Sequence, residues 1–248
     1  MARIRHVAFI VDEPKKLYDY YHRLFGVEQV RTSPSGSIHV VDPLFNLAFL
    51  QHITSESEVV NTHRADGAEA NQTLGINHFG FIVDQLDEVL QRLPANVKRG
   101  ESPQNGRPAE MRVVDPWGNN FDLSSRGFLG REENRLPGVR HVVLQAADPV
   151  EAARFYHSVL DLKEVRRTED GGALLTDGEV TLAVTPRRWV ERPGIQYVGI
   201  RVDDWGDLEA RFEEFGADLP APRAGEHEVR LRDPEGNLYA VSPRGWLE

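Results

Sequence analysis

An α+β fold made of four consecutive βαβββ modules is what this 248-residue sequence predicts. Three repetitions predict it. Ile4-Arg5-His6-Val7 returns as Val139-Arg140-His141-Val142, and Tyr21-His22 returns at the same spacing as Tyr156-His157. Gly75-Ile76-Asn77-His78-Phe79-Gly80 returns as Gly194-Ile195-Gln196-Tyr197-Val198-Gly199. Asp115-Pro116-Trp117-Gly118-Asn119 returns as Asp233-Pro234-Glu235-Gly236-Asn237. A unit of one strand, one helix and short further strands, repeated from near residues 3, 75, 138 and 194, marks stacked supersecondary modules.

In the first module His6, Ala8 and Ile10 share one strand face, while Val7, Phe9 and Val11 share the other. A helix begins near Pro14, which suits a first helical turn, buries Leu17, Tyr21, Leu24 and Phe25, and stops at Gly26. Strands follow around Glu28–Arg31, Ile38–Val41 and Leu47–Gln51. Module 2 has a helix over Gln85–Leu93 and strands near Ala109–Val114 and Asn119–Ser124. Module 3 carries a helix from Pro149 to about Leu160, and module 4 a helix over Asp207–Phe215 with strands near Glu228–Leu231 and Leu238–Val241. The polar stretch from His52 to Thr73 reads as a loop crossing between modules. Arg126–Leu136 breaks the periodicity and reads as a linker. The expected domains are therefore 1–125, with modules at 1–52 and 73–125, and 137–248, joined by 126–136. One module exposes an apolar sheet face, so modules should pair, and the curved mixed sheets of a pair would enclose a cleft.

Bulk properties narrow the function. Twenty-nine basic residues stand against 39 acidic ones, a formal charge of −10, and no Lys/Arg cluster interrupts it. Nucleic acid and anionic membranes are thus excluded as expected partners, and a small-molecule substrate is favoured, with homo-oligomerisation left open. The absence of cysteine removes disulfides, thiolate metal sites and Cys nucleophiles, so a metal must sit on nitrogen and oxygen. No secretory leader or membrane-spanning run is visible, which predicts a soluble cytoplasmic protein.

Four such modules, a His in the first strand, and an Asp-Pro-x-Gly-Asn turn followed by a carboxylate resemble the vicinal oxygen chelate superfamily. That superfamily includes glyoxalase I, bleomycin- and fosfomycin-resistance proteins, methylmalonyl-CoA epimerase and extradiol ring-cleaving dioxygenases. The resemblance implies two tandem glyoxalase/extradiol-dioxygenase-like domains, and metal ligands on the first and last strands of paired modules. Carried over, these are His6, His78 and Asp122, with the fourth position falling at Phe49, which cannot ligate. Two His and one carboxylate with open positions suit Fe(II) or Mn(II), although other divalent metals fit the same ligands. Pairing of module 2 with module 3 would bring in His141 instead of His6; sequential pairing is the preferred reading. The second domain keeps His141 but has Tyr197 and Ala240 in place of the other two, so it is read as degenerate.

Taken singly, each of His6, His78 and Asp122 is an ordinary strand residue; together, at family positions, they predict a metal site. Three further residues are candidates for catalysis: His39 as acid or base, Arg112 as an anion anchor, and Glu110 for proton transfer. His22 and His157, each following a helical Tyr, read as structural. The leading expectation is a metal-dependent dioxygenase that cleaves a catechol- or hydroquinone-like ring. Two departures from extradiol enzymes stand out: Asp122 replaces the usual Glu, while Pro108 and Arg112 occupy places where relatives carry His and Tyr. A glyoxalase- or epimerase-like isomerase or lyase is the second expectation. The third is a non-catalytic binding protein, with Phe49, Trp117 and Trp205 as stacking surface.

Overall fold

The computed structural model of the protein describes residues 1–52, 73–101, 108–187, 194–223 and 225–247. The expected crossing loop, with His63, falls almost wholly outside them. The first half runs β1 (Arg3–Val11), α1 (Pro14–Phe25), β2 (Glu28–Thr32), β3 (Ile38–Val41), β4 (Asn46–Gln51), β5 (Gly75–Ile82), α2 (Leu86–Arg92), β6 (Lys98–Glu101), β7 (Met111–Val114) and β8 (Asn120–Ser124). All eight strands form one sheet, ordered β2-β3-β4-β1-β5-β8-β7-β6. The second half runs β9 (Gly138–Ala146), α3 (Pro149–Leu160), β10 (Lys163–Arg167), β11 (Ala173–Thr176), β12 (Thr181–Pro186), β13 (Gly194–Arg201), α4 (Trp205–Phe215), β14 (Val229–Arg232) and β15 (Leu238–Ser242). Its seven strands are ordered β10-β11-β12-β9-β13-β15-β14. Modules 1 and 2 therefore share one sheet, and modules 3 and 4 the other. Module 4 shows no counterpart of β6 among the described residues.

The helices begin and end where their sequence chemistry changes. Pro14 opens α1, and Gly26 closes it at φ 70°, a left-handed conformation that costs glycine little. Asp148 caps α3 by accepting a hydrogen bond from the Glu151 N–H at 3.0 Å. The recurring Tyr-His pair has a structural use at both sites. His22 Nδ1 lies 2.7 Å from Val27 O and His157 Nδ1 lies 2.7 Å from Leu162 O, so each imidazole ties a helix end to the strand that follows.

Apolar alternation buries Val7, Phe9, Phe79, Phe81 and Phe121 on one face of the first sheet, against the helices. The two halves share that core. Tyr156 of α3 packs on Phe79 and Phe81 and donates to Asp115 Oδ2 at 2.6 Å. Tyr21 of α1 packs on Tyr239 and donates to Asp233 Oδ2 at 3.4 Å. Two further turn carboxylates reach across the halves: Asp42 Oδ2 accepts from Val139 N and Asp177 Oδ2 from Ile4 N, both at 2.7 Å. Asp177 also takes Arg5, a guanidinium only 2 % exposed, at 2.7 Å. The Asp-turn repeats thus hold the halves together by charge-assisted hydrogen bonds. No helix among the described residues is long and apolar enough to cross a membrane.

Candidate metal centre

Strand register builds the site. At the centre of the first sheet β1 and β5 run antiparallel, with His6 opposite Gly80 and Ala8 opposite His78. The two imidazoles project from the sheet face away from the helices, with ring centroids 5.3 Å apart. On the other side of β5, Gly80 is in register with Asp122 of β8, and Asp122 with Arg112 of β7. His6, His78 and Asp122 each offer a ligand atom within 4.8 Å of the others, and all are buried. Gly80 makes the arrangement possible. A Cβ there would lie 2.5 Å from Phe128 Cζ and 3.0 Å from His6 Cβ. Gly80→Ala is therefore expected to cost about 1–3 kcal/mol in urea unfolding through overpacking. Phe128→Ala in the same chain should recover part of that loss if this clash is its cause.

Hydrogen bonding orients both rings. His78 Nδ1 donates to Asn77 Oδ1 at 2.8 Å, and its Nε2 lies between Arg112 Nη2 at 3.1 Å, a donor only, and Asp122 Oδ2 at 3.3 Å, an acceptor only. His6 Nδ1 lies 3.2 Å from the Asn46 carbonyl, an acceptor only, so in the neutral ring its Nε2 is bare. Burial, with His78 beside it, lowers the His6 pKa to about 3, which keeps the ring neutral. Asp122 is held well below the usual carboxylate range. Its burial works the other way, but the Arg112 guanidinium and His78 outweigh it. A neutral His6 with a bare Nε2, a second imidazole nitrogen facing the same point and one ionised carboxylate make a donor set that a divalent cation can take once His78 gives up its present contacts. His78 Nε2 and Asp122 Oδ2 are 3.3 Å apart, close to the edge of about 3 Å in an octahedron of ~2.1 Å bonds. The donor set fits a metal. One group stands against immediate loading. Arg112 grips Asp122 with Nε–Oδ1 2.6 Å and Nη2–Oδ2 2.9 Å while its Nη2 stands 3.1 Å from His78 Nε2.

The other expected residues are distributed less evenly. His39 of β3 is in register with Ala48 of β4, and Ala48 with Ala8. It therefore shares the face of the cluster but stands two strands from β1, about 10 Å along the sheet. Glu110 is bound into the turn after β8. Its Oε2 accepts from Ser125 N at 2.5 Å, Ser125 Oγ at 2.8 Å and Arg126 N at 3.3 Å. Its pKa is lowered by these bonds and by the Arg126 charge, despite some burial. It is a cap for that turn and is not brought to the cluster.

Three expectations need correction. The counterpart of Asp122 in module 1 is Ala48, not Phe49. β4 pairs Ala8 with Ala48 just as β8 pairs Gly80 with Asp122, and Phe49 points into the core against Phe9 and Tyr21. Phe49, Trp117 and Trp205 offer no stacking surface at the cluster either. Trp117 packs on Phe155, and Trp205 Nε1 donates to Glu209 on its own helix. The segment 126–136, read as a plain linker, supplies Phe128, whose ring stacks on His6 at 4.8 Å and 10°. Its signal was a fourth repeat, Ser124-Ser125-Arg126-Gly127-Phe128 against Ser242-Pro243-Arg244-Gly245-Trp246, because Trp246 stacks on His141 in the same way at 4.6 Å and 6°.

Two tandem halves of curved mixed sheet, with a buried His-His-Asp cluster on one of them, define a protein of the glyoxalase fold. A family model described as the glyoxalase/bleomycin resistance protein/dioxygenase superfamily matches residues 5–114, and one described as a glyoxalase-like domain matches residues 141–242. The chain belongs to that group, the vicinal oxygen chelate superfamily. No curated protein matches it in sequence. Among solved structures it resembles the 2,3-dioxygenase LapB of Pseudomonas sp. KL28, with 16% identity, TM-score 0.69, 98% of this chain and 92% of that one covered. It also resembles the Mn(II)-bound glyoxalase of Novosphingobium aromaticivorans, with 17% identity, TM-score 0.72, and 98% and 83% covered. Homoprotocatechuate 2,3-dioxygenase of Brevibacterium fuscum, in complex with 3,4-dihydroxyphenylacetate, matches at 12% identity and TM-score 0.71, covering 98% and 81%. These likenesses establish the fold.

Proposed function

We propose that His6, His78 and Asp122 hold one divalent cation, Fe(II) or Mn(II), and that the protein is a ring-cleaving dioxygenase of the extradiol type acting on a catechol- or hydroquinone-like molecule. The observation that carries this is the convergence of two imidazole nitrogens and one ionised carboxylate with Ala48, a residue that cannot ligate, at the fourth position. Bound there, the metal would supply Lewis acidity to adjacent substrate oxygens and open positions for substrate and O₂.

The chain's own residues supply the rest. Arg112, once released from His78, remains beside the centre as a fork of donors for a phenolate oxygen or an attached anion. Phe128 covers one face of His6 and helps keep water from it. His39, on the same face but two strands from β1, would meet the far end of a bound substrate and take or give a proton there. An isomerase of the glyoxalase type finds less support. It calls for a fourth ligand and a free carboxylate, whereas position 48 is Ala and Glu110 is committed to the Ser125–Arg126 turn.

Oxygen uptake by protein loaded anaerobically with Fe(II), tested against catechols, their 4-substituted derivatives and hydroquinones, checks the reaction. Consumption of one O₂ per ring cleaved is expected; no uptake across the panel from a metal-loaded enzyme would overturn the dioxygenase reading. Metal content checks the site separately. His6→Ala is expected to lose at least about 90% of bound Mn(II) or Fe(II), consistent with the removal of one of three protein ligands. His141→Ala, on the other sheet, should retain it.

A further inference from the structure

The half without a ligand set contains a cavity of about 680 Å³, within the size range of sites for drug-sized molecules. It lies over the face equivalent to that of the His-His-Asp cluster. His141, Ala183, Tyr197 and Arg230 line it where the first half has His6, Ala48, His78 and Arg112. Substitution has rebuilt the polar network there. The Tyr197 hydroxyl, Trp246 Nε1 and Arg230 Nε all donate to Glu228, at 3.1, 2.6 and 2.6 Å. A satisfied network of this kind holds its members in place before any ligand arrives.

Two features of the cavity have no partner among the described residues. His141 is 3 % exposed, and its Nδ1 lies 2.6 Å from Thr181 Oγ1. That hydroxyl donates its own hydrogen to Arg140 O at 3.1 Å, so it accepts from His141, and Nε2 is left as a bare acceptor. No hydrogen bond to Nε2 is found among the described residues. At the exposed side, Arg166 and Arg223 line the same cavity and form no ion pair among the described residues. In a chain of net charge −10, two exposed guanidiniums without an ion pair among the described residues, at a cavity that Glu226 also lines, are a local exception. Leu174 and Ala183, opposite each other on β11 and β12, provide apolar wall between the ends.

We propose that this cavity is a second, metal-independent site that binds a small hydroxy acid, with a hydroxyl donating to His141 Nε2 and a carboxylate held by Arg166 and Arg223. A phenolic acid matches the apolar wall as well as both ends. The assignment does not depend on metal binding in the first half.

Calorimetric titration of the full-length protein with 3-(4-hydroxyphenyl)propionate tests it. Wild type is expected to bind, and an Arg166→Gln/Arg223→Gln double variant, altered only at exposed positions, to bind at least about tenfold more weakly, the scale of one lost charge-assisted contact. The same probe without its hydroxyl, 3-phenylpropionate, should also bind more weakly, and Leu174→Trp should block the cavity. His78→Ala should leave the binding intact, since His78 belongs to the other sheet. Absence of binding at millimolar probe, unchanged affinity in the double variant, or loss of binding in His78→Ala would each overturn the proposal.

Discussion

Replacing Arg112 with Met is expected to destabilise the metal-free protein by about 3 kcal/mol and to raise its affinity for Mn(II) or Fe(II) by about tenfold or more. Asp122 is 4 % exposed and ionised, and its two oxygens are both held by the Arg112 fork. Removing one partner of such a pair leaves a buried charge without compensation, which is where the stability loss arises. The same removal frees His78 Nε2, whose single lone pair cannot serve both a guanidinium donor and a metal. In wild type the metal must displace one cation to bind; in the variant it meets an anion already waiting. Added metal should then restore stability, by about 2.7 kcal/mol at a free concentration one hundred times Kd. Arg112→Lys keeps a charge but not the planar fork, and should fall between the two. Urea unfolding with and without Mn(II), together with a metal titration, decides the matter. A variant as stable as wild type and no tighter for metal would show that the guanidinium and the metal do not share these ligands.

The architecture was legible because the chain repeats itself. Four modules could be seen from the His6/His141, Tyr21/Tyr156 and Asp115/Asp233 correspondences, and the first strands were right because Val7, Phe9, Phe79 and Phe81 alternate with the residues of the opposite face. What escaped was of two kinds. Lys98–Glu101 forms an edge strand from Lys-Arg-Gly-Glu, a polar run whose pairing is dictated by its neighbour Met111–Val114 and not by its own pattern. The turn from Asp42 to β4 is one residue shorter than that from Asp115 to β8, so spacing points to Phe49 where register puts Ala48. In a strand a shift of one residue exchanges the two faces, which separates a core Phe from a site position.

The site was partly legible for a similar reason. His6, His78 and Asp122 could be singled out because they fall at the ligand positions that the resemblance implies, and the loss of two of the three in the copy, at Tyr197 and Ala240, set the halves apart. The role of Arg112 as the group now gripping two of the three donors depends on side-chain geometry, which spacing does not convey. Glu110 and Glu228 show the same limit. They occupy equivalent positions, each one residue before its strand, yet Glu110 turns to the Ser125–Arg126 backbone and Glu228 to Tyr197, Arg230 and Trp246. With no Asp at position 240, Arg230 takes the glutamate instead. One substitution thus reassigned the partners of the residues around it.

Stability is expected to fall by about 4 kcal/mol between pH 7.5 and pH 5, about 2 kcal/mol from each of two buried histidines. Burial lowers the pKa of both His6 and His141 to about 3, whereas in the unfolded chain an imidazole titrates near 6.5. The folded state therefore keeps both rings neutral while the unfolded state takes up protons, so stability is full above about pH 6.5 and is lost progressively as the pH falls toward 3. Asp42 and Asp233, whose carboxyls are pushed up by burial, act in the opposite direction at their own, more acidic range. A variant comparison isolates the imidazole contribution from theirs. His141→Gln retains a donor for Thr181 but cannot titrate, so its stability should drop about half as far over the same interval. Urea unfolding of both proteins at several pH values, analysed with a common slope, measures the difference. Parallel pH curves for wild type and His141→Gln would mean that His141 is not held neutral by its place under Trp246, and that its Nε2 is not the bare acceptor that the Thr181 hydrogen bond requires.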